Sequence, residues 1–473
     1  MDTIIRGGNV VIPYAGVKEV DIGIKDEKIV ALGKDLEFEG ANVIDATGKH
    51  IFPGAIDGHS HYGLYRELAQ DYHVTSRSSA IGGVTTVINF IRSGRSYLEQ
   101  QPEELAIAEK ESVIDFCFHL GVVLDKHVKE LRDYVEKLGT TSFKLFLGYK
   151  GMEKERYGTD RTIDDELMLD IFQEMNDISP DLILAIHCEN VEMGKHYYKK
   201  YQHIEDRNEL VFWDKYNPDI VETENVVRVS YLAKQFNSKI SIVHCSAGTS
   251  VNTLKGMPWF DPNLVHVETC PHYLTETVDN VKGLGAIVKP PIRYKHDNDQ
   301  LWEGIKEGIV TFIGTDHVSV SWDEKFKKGN HIDKIQLGFG GAEFMFPLVL
   351  SEGHFNRGLP LERIAEITSA NTAKTYGLYP NKGTIDIGSD ADLVIVDLDK
   401  MVTIEPDTIP INSDYSIYEG REVRGWPVMT IRRGEVIAAD GKAIEPKGKG
   451  KYLRREATSA KQQKVVEETT VLS

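Results

Sequence analysis

The chain has 473 residues, with 55 Lys plus Arg against 73 Asp plus Glu, a net charge of −18 that disfavours nucleic acid or an anionic membrane as its partner. No run of about 18 apolar residues is present to span a bilayer, the opening MDTIIRGGNVVIPYAG enters strand-like sequence directly, and none of Cys117, Cys188, Cys245 and Cys270 forms a Cys-x-x-Cys pair. These features predict a soluble, cytoplasmic protein without a disulfide framework, long enough for one large domain and a smaller accessory one.

Residues 1–49 read as short β segments at 3–5, 9–12, 20–24, 28–32 and 42–45, punctuated by Gly, Pro and Asp. Residues 50–382 alternate apolar runs with amphipathic stretches, the pattern of βα units on a parallel sheet. Eight candidate strands fall at 51–57, 84–90, 114–122, 142–148, 182–187, 240–244, 264–269 and 310–315, the number that a closed (β/α)8 barrel needs. Helical patterns lie between them at 103–111, 164–178, 222–236 and 299–307. The β texture returns over 383–446, with segments at 392–396, 428–432 and 435–437 and a hairpin turn at Arg433-Gly434. The expected fold is therefore α/β: a TIM-like barrel at 50–382, with a discontinuous β-sandwich formed by 1–49 and 383–446. The polar, charged stretch 447–473 reads as a disordered tail, or else as an arm on a neighbouring subunit.

The strand ends carry the chemistry. His59 and His61 close the first apolar run and, two residues apart on an extended chain, point the same way. Lys144 lies in the fourth strand (TSFKLFLGYKG), His187 ends the fifth, His244 the sixth and Asp316 the eighth. Taken singly, each histidine is an ordinary packed or surface residue. Taken together at one mouth of a barrel, where such folds place their active sites, they read as metal ligands, and imidazole with carboxylate suits zinc without excluding manganese or cobalt. Lys144, flanked by Phe143, Leu145 and Phe146, is costly to bury as a cation. It reads either as a lysine paired with an acidic neighbour or as a neutral amine that adds carbon dioxide to become a carbamate.

The segments GAIDGHSH, FKLFLGYKGM, HCEN, HCSAG, GTDH, IDIGSDADLVIVD and DYSIYEGREVRGWPV resemble the cyclic amidohydrolases, the hydantoinase and dihydropyrimidinase branch of the amidohydrolase superfamily, over nearly the whole chain. The resemblance implies two divalent metal ions, zinc by expectation. His59, His61 and Asp316 would hold one, His187 and His244 the other, with N6-carboxylated Lys144 and a hydroxide bridging them. It further implies attack on a ring amide carbonyl, with Asp316 carrying the proton to the departing nitrogen and Tyr149 donating to the oxyanion. By the same resemblance the chain is a homo-oligomer, tetramer or dimer, acting on a small cyclic amide.

The ring itself is less legible. Dihydroorotases carry an arginine two residues after the second histidine, and here that position is Gly63. Hydantoinases and dihydropyrimidinases have Ser and Asn where this chain has Lys289 and Leu337. Leu64 and Tyr65, beside Tyr62 and Leu68, offer apolar walls for an exocyclic substituent, or pack a helix. Allantoinase, dihydroorotase and a non-catalytic dihydropyrimidinase-related scaffold remain as alternatives, the scaffold disfavoured because all six ligand positions are filled.

Overall fold

The computed structural model describes residues 1–205, 207–281, 283–405, 413–445 and 448–457. Seven strands come first: β1 (Thr3–Arg6), β2 (Asn9–Ile12), β3 (Gly16–Glu19), β4 (Asp21–Lys25), β5 (Lys28–Gly33), β6 (Asn42–Asp45) and β7 (His50–Pro53). The central strands are β8 (Ala55–Ser60), β9 (Val84–Ile91), β10 (Asp115–Gly121), β11 (Ser142–Leu145), β12 (Ile183–Ile186), β13 (Lys239–Ile242), β14 (Val265–Thr269) and β15 (Phe312–Ile313). Four more follow: β16 (Leu393–Thr403), β17 (Glu422–Arg432), β18 (Glu435–Ala439) and β19 (Lys442–Ala443).

β8 to β15 pair in chain order and in parallel, and each overlaps one of the eight expected strands. The ring closes where Ser60 bridges His317 and the His61 N–H donates to His317 O at 2.9 Å. Every residue of β9 and β10 is buried, because helices cover the outside of the barrel while side chains fill its interior. The helices Tyr97–Glu111, Asp165–Ile178, Asp219–Phe236 and Lys295–Glu307 lie over the expected helical patterns, and the side chain of Asp164 caps the second by accepting from Leu167 N–H at 3.1 Å.

The strand expected at 51–57 is in fact two strands. β7 pairs with β2 and β16 in the sandwich, whereas β8 opens the barrel, so residues 50–53 belong with the sandwich sheet. Gly54 makes the crossing: a Cβ there would lie 2.1 Å from Thr85 Oγ1. The sandwich packs a four-stranded sheet, β5-β4-β1-β6, on a seven-stranded sheet, β19-β18-β17-β16-β7-β2-β3. Ile5, Ile22 and Ile24 from the first and Val10, Ile51, Leu393 and Ile431 from the second share one apolar core. β3 was not expected; it is a largely exposed edge strand, and its GVKE sequence carries no apolar alternation. The expected hairpin is present, with Arg433 (φ 46°) and Gly434 (φ 77°) both left-handed, as a two-residue turn of the primed type requires.

The stretch read as a tail starts differently. Residues 448–457 run across the N-terminal end of the barrel of their own chain, where Gly450 N–H donates to Ser112 O and Leu453 N–H to Phe116 O. Arg455, buried, reaches Ser142 Oγ at 2.7 Å and the carbonyl of Phe118. Apolar sheet ends and unpaired backbone carbonyls there need a cover, and this strap supplies one. The rest of the expected tail, 458–473, lies outside the described residues.

A buried charge cluster locks sandwich to barrel. Lys382 Nζ lies 2.6 Å from Asp115 and Asp392 and 2.9 Å from Asp390. The three carboxylates have the spacing of a metal site, but the ammonium already fills it. Burial alone would lower the Lys382 pKa; the three carboxylates outweigh it and hold the amine charged. Lys382→Met would leave buried Asp392 without the cation beside it, with Asp115 still on Arg433 and Asp390 still on Lys28, a loss of about 3–5 kcal/mol, read as a fall in the denaturant midpoint.

Candidate metal centre

β8 carries a register shift between Asp57 and Ser60, and beyond it His59 and His61, two residues apart, turn the same way. His59 Nε2 lies 3.2 Å from His61 Nε2, and each lies 3.1 Å from Asp316 Oδ1. Two atoms bound to one zinc-sized ion at tetrahedral to octahedral angles stand roughly 3.0–3.4 Å apart. The donor set therefore fits a single divalent ion. His59 Nδ1 donates to Glu268 Oε1 at 2.6 Å, which fixes the tautomer and leaves the Nε2 lone pair for a metal. Burial alone would raise the Asp316 carboxyl, yet the imidazoles beside it hold it well below the usual carboxylate range.

Lys144 of β11 is buried, and its Nζ makes no hydrogen bond with any described residue. It sits 4.7 Å from the Phe90 ring centroid, and burial pulls its pKa down to about 7. His187 and His244 follow β12 and β13 with ring centroids 4.5 Å apart, and His244 lies 5.3 Å from His59 by the same measure. His187 Nε2 is engaged by Glu189 Oε2 at 2.5 Å, which leaves its Nδ1 free of that bond. All six expected ligand residues thus meet at the C-terminal end of the barrel.

Close approach and backbone strain mark the same region. His244 (φ 42°) and Asp316 (φ 51°) both adopt the left-handed region that non-glycine residues avoid, a cost of order 1–3 kcal/mol each. The His244 N–H is held by Glu268 Oε1 at 2.9 Å. A Cβ on Gly148 would lie 2.2 Å from His187 Nε2, and one on Gly314 would lie 2.8 Å from both Glu268 Cδ and His59 Cβ. Only glycine lets those backbones pass so near the ligands.

Several supporting residues escaped the sequence reading. Asp57 ties strand one to strand eight, accepting from His59 N–H at 3.1 Å, Thr315 N–H at 3.0 Å and Thr315 Oγ1 at 2.6 Å; a register shift just after it hides this role from any spacing argument. Glu189 stands inside the quoted HCEN motif and Glu268 at the end of the seventh expected strand, where carboxylates beside histidines could have been read as their orienters. Asn190 of HCEN caps the next helix by accepting from Met193 N–H. Glu222 cradles the HCSAG loop by accepting from the N–H groups of Ser246 and Ala247, and Arg293, after the seventh strand, donates to Ser246 Oγ.

Above the ligands opens a cavity of about 500 Å³ whose walls include Leu64, Tyr65, Tyr149, Lys289 and Leu337. Gly63 is not among them. It borders a neighbouring cavity, with its N–H on Asp71 Oδ2 at 2.8 Å, because its left-handed backbone turns the chain away. Tyr149 packs its ring 5.2 Å from that of His187, and burial pushes its phenol up to about 12, so it is a hydrogen-bond donor at neutral pH. Lys289 Nζ donates to Gly148 O at 2.8 Å, spanning from the seventh strand's loop to the fourth's. Buried Lys325 pins the wall that carries Lys289 and Leu337 by donating to the carbonyls of Ile287 and Gly338.

If Glu268 orients the His59 imidazole, Glu268→Gln lowers affinity for divalent metal about 10–100-fold with the fold retained. Metal titration followed by elemental analysis, with circular dichroism on the same sample, measures this; unchanged affinity would remove Glu268 from the centre.

Residues 50–437 match the family model of the amidohydrolase family. The chain is 31% identical over 468 residues to a D-hydantoinase from Ralstonia pickettii, covering 96% of this chain and 99% of that protein. It is 31% identical over 466 residues to an allantoinase from Solibacter usitatus, covering 97% and 98%. Among solved structures, that of a dihydropyrimidinase from Brevibacillus agri superposes with a TM-score of 0.88 at 28% identity, covering 97% of this chain and 100% of that one. With the barrel, the histidine pair and the carboxylate all in place, the chain belongs to the amidohydrolase family.

Proposed function

We propose that the protein is a metal-dependent hydrolase that opens a cyclic amide ring, a hydantoin or dihydropyrimidine, to an N-carbamoyl amino acid. The observation that carries this reading is the convergence of His59 Nε2, His61 Nε2 and Asp316 Oδ1 within 3.2 Å, beside a buried Lys144 amine without a hydrogen-bond partner among the described residues. It is supported by end-to-end similarity to hydantoinases and a dihydropyrimidinase.

In this reading His59, His61 and Asp316 would hold one divalent ion and His187 and His244 a second, zinc in both cases, and Lys144, as an N6-carboxylate, would contribute oxygen ligands. Bound metal supplies Lewis acidity toward the ring carbonyl and lowers the pKa of water toward neutrality. Carboxylation needs an uncharged amine, and a Lys144 pKa near 7 makes one available at physiological pH. Asp316 takes the proton of the attacking water and delivers it to the leaving ring nitrogen. Tyr149 donates its hydroxyl hydrogen to the oxygen on which negative charge develops. Glu268 and Glu189 keep the His59 and His187 rings in one orientation throughout. Leu64, Tyr65, Lys289 and Leu337 border the ring-binding space. Allantoin is the second substrate to consider, since an allantoinase is as similar in identity and coverage as the first hydantoinase.

Among the described residues no helix is long and apolar enough to cross a membrane. Four buried free thiols fit a cytoplasmic location, and a homo-oligomer of two or four chains belongs to the same proposal.

The test is ring opening by the full chain, reconstituted with zinc and bicarbonate, on hydantoin, 5-phenylhydantoin, dihydrouracil, allantoin and dihydroorotate. About two metals per chain with turnover of hydantoins or dihydrouracil is expected, and turnover of allantoin alone would shift the assignment to allantoinase. Metal without turnover of any ring overturns it. Lys144→Ala should lose at least about 100-fold in kcat/KM, partly restored by added short carboxylic acids; full activity without them would refute the carboxylated bridge.

A further inference from the structure

The wall above the ligands is cationic, in a chain of net charge −18. Arg92, Arg156, Lys289, Lys328 and Lys334 border the cavity there, against Asp333. Asp333 is already engaged, by Arg207 at 2.9 Å and by the Tyr198 hydroxyl at 3.2 Å. Among the described residues the side chains of Arg92, Arg156, Lys328 and Lys334 make no hydrogen bond or ion pair.

Two of these cations stand over the reacting region. Arg92 follows β9 directly and is half-buried, with its guanidinium 5.3 Å from the Phe146 ring centroid. Arg156 lies 4.5 Å from the Tyr149 ring centroid, and Lys289 Nζ lies 5.4 Å from the same ring. Both guanidinium groups line the same cavity as Tyr65 and Tyr149. A partly buried guanidinium without a carboxylate is costly until an anion arrives, and a planar fork of donors suits a carboxylate best. Unsubstituted hydantoin and dihydrouracil are neutral and leave these cations unanswered.

We propose that the substrate carries a carboxylate on a short exocyclic chain, held by Arg92 and Arg156 while the ring amide faces the metal ligands; this rests on the cyclic-amide reading above. Lys328 and Lys334, on the outer wall, draw the anion inward against the acidic remainder of the surface. The anchor differs in origin from the arginine that dihydroorotases place at the position of Gly63. It comes from the end of the second barrel strand and from the helix Glu153–Tyr157.

The test compares matched pairs on the metal-reconstituted full chain. 5-Carboxymethylhydantoin and 5-(2-carboxyethyl)hydantoin are assayed against their primary amides, which keep size and hydrogen bonding but lose the charge, with hydantoin and dihydrouracil as neutral controls. The better acid should exceed its amide by about tenfold or more in kcat/KM, and the gap should narrow as sodium chloride is raised. R92Q should reduce the acid-to-amide ratio about tenfold, and R156Q, on an exposed side chain, should do likewise and serves if R92Q fails to fold. Hydrolysis of neutral rings with an acid-to-amide ratio of one or less, or a ratio that neither substitution moves, overturns the anionic anchor and leaves the cyclic-amide reading intact. Failure to open any ring, neutral or acidic, overturns that reading and the anchor with it.

Discussion

One carboxylate oxygen organises the centre. Glu268 Oε1, at the end of the seventh barrel strand, accepts from the His59 imidazole of the first strand and from the backbone N–H of His244 after the sixth. Three strands therefore meet on a single atom. The bond to His59 selects which ring nitrogen is free, and the bond to His244 holds a backbone that would otherwise relax from its left-handed conformation. Gly314 is the steric price of this arrangement, since no larger residue leaves room for the Glu268 carboxylate beside His59. Fixing a donor set to within a fraction of an ångström takes such over-determination, because the reorganisation is completed at folding rather than at reaction.

The two ends of the barrel treat buried charge differently. At the N-terminal end Lys382 is met by three carboxylates, and Arg455 by the Ser142 hydroxyl and a backbone carbonyl. At the C-terminal end the Lys144 amine is buried without a hydrogen-bond partner among the described residues, and half-buried Arg92 on the wall meets no carboxylate there. Charges paired within the chain stiffen a joint, whereas an amine or guanidinium left without a carboxylate is open to a group that is not part of the chain.

Much of this was legible in the sequence, for identifiable reasons. Parallel strands buried on both faces are continuous apolar runs, so all eight barrel strands stood out, and a histidine or aspartate at the end of four of them was conspicuous. The boundary at Gly54 was hidden because two strands of different sheets share the single apolar run that begins at Ile51. β3 was hidden because an exposed edge strand needs no apolar pattern. Gly63 was assigned by its distance from His61, but a left-handed turn sends it to another cavity while its neighbours Leu64 and Tyr65 reach the walls. Arg92 and Arg156 were passed over for a different reason: the meaning of a cation depends on which carboxylates are absent around it, and spacing along a chain does not reveal that.

The interleaving of sandwich and barrel also governs when the molecule can be completed. β7 finds its partner β16 only after the whole barrel has been synthesised, and the strap at 448–457 reaches Phe116 and Ser112 later still. A ribosome-bound chain that already carries every ligand strand would still lack four of its eleven sandwich strands and the floor of its barrel. Contacts so far apart in sequence close slowly and leave sheet edges open in the meantime. The nascent chain should therefore depend on chaperones until its last strands emerge, and a ribosome stall between the barrel and β16 should yield an insoluble product rather than a smaller working domain.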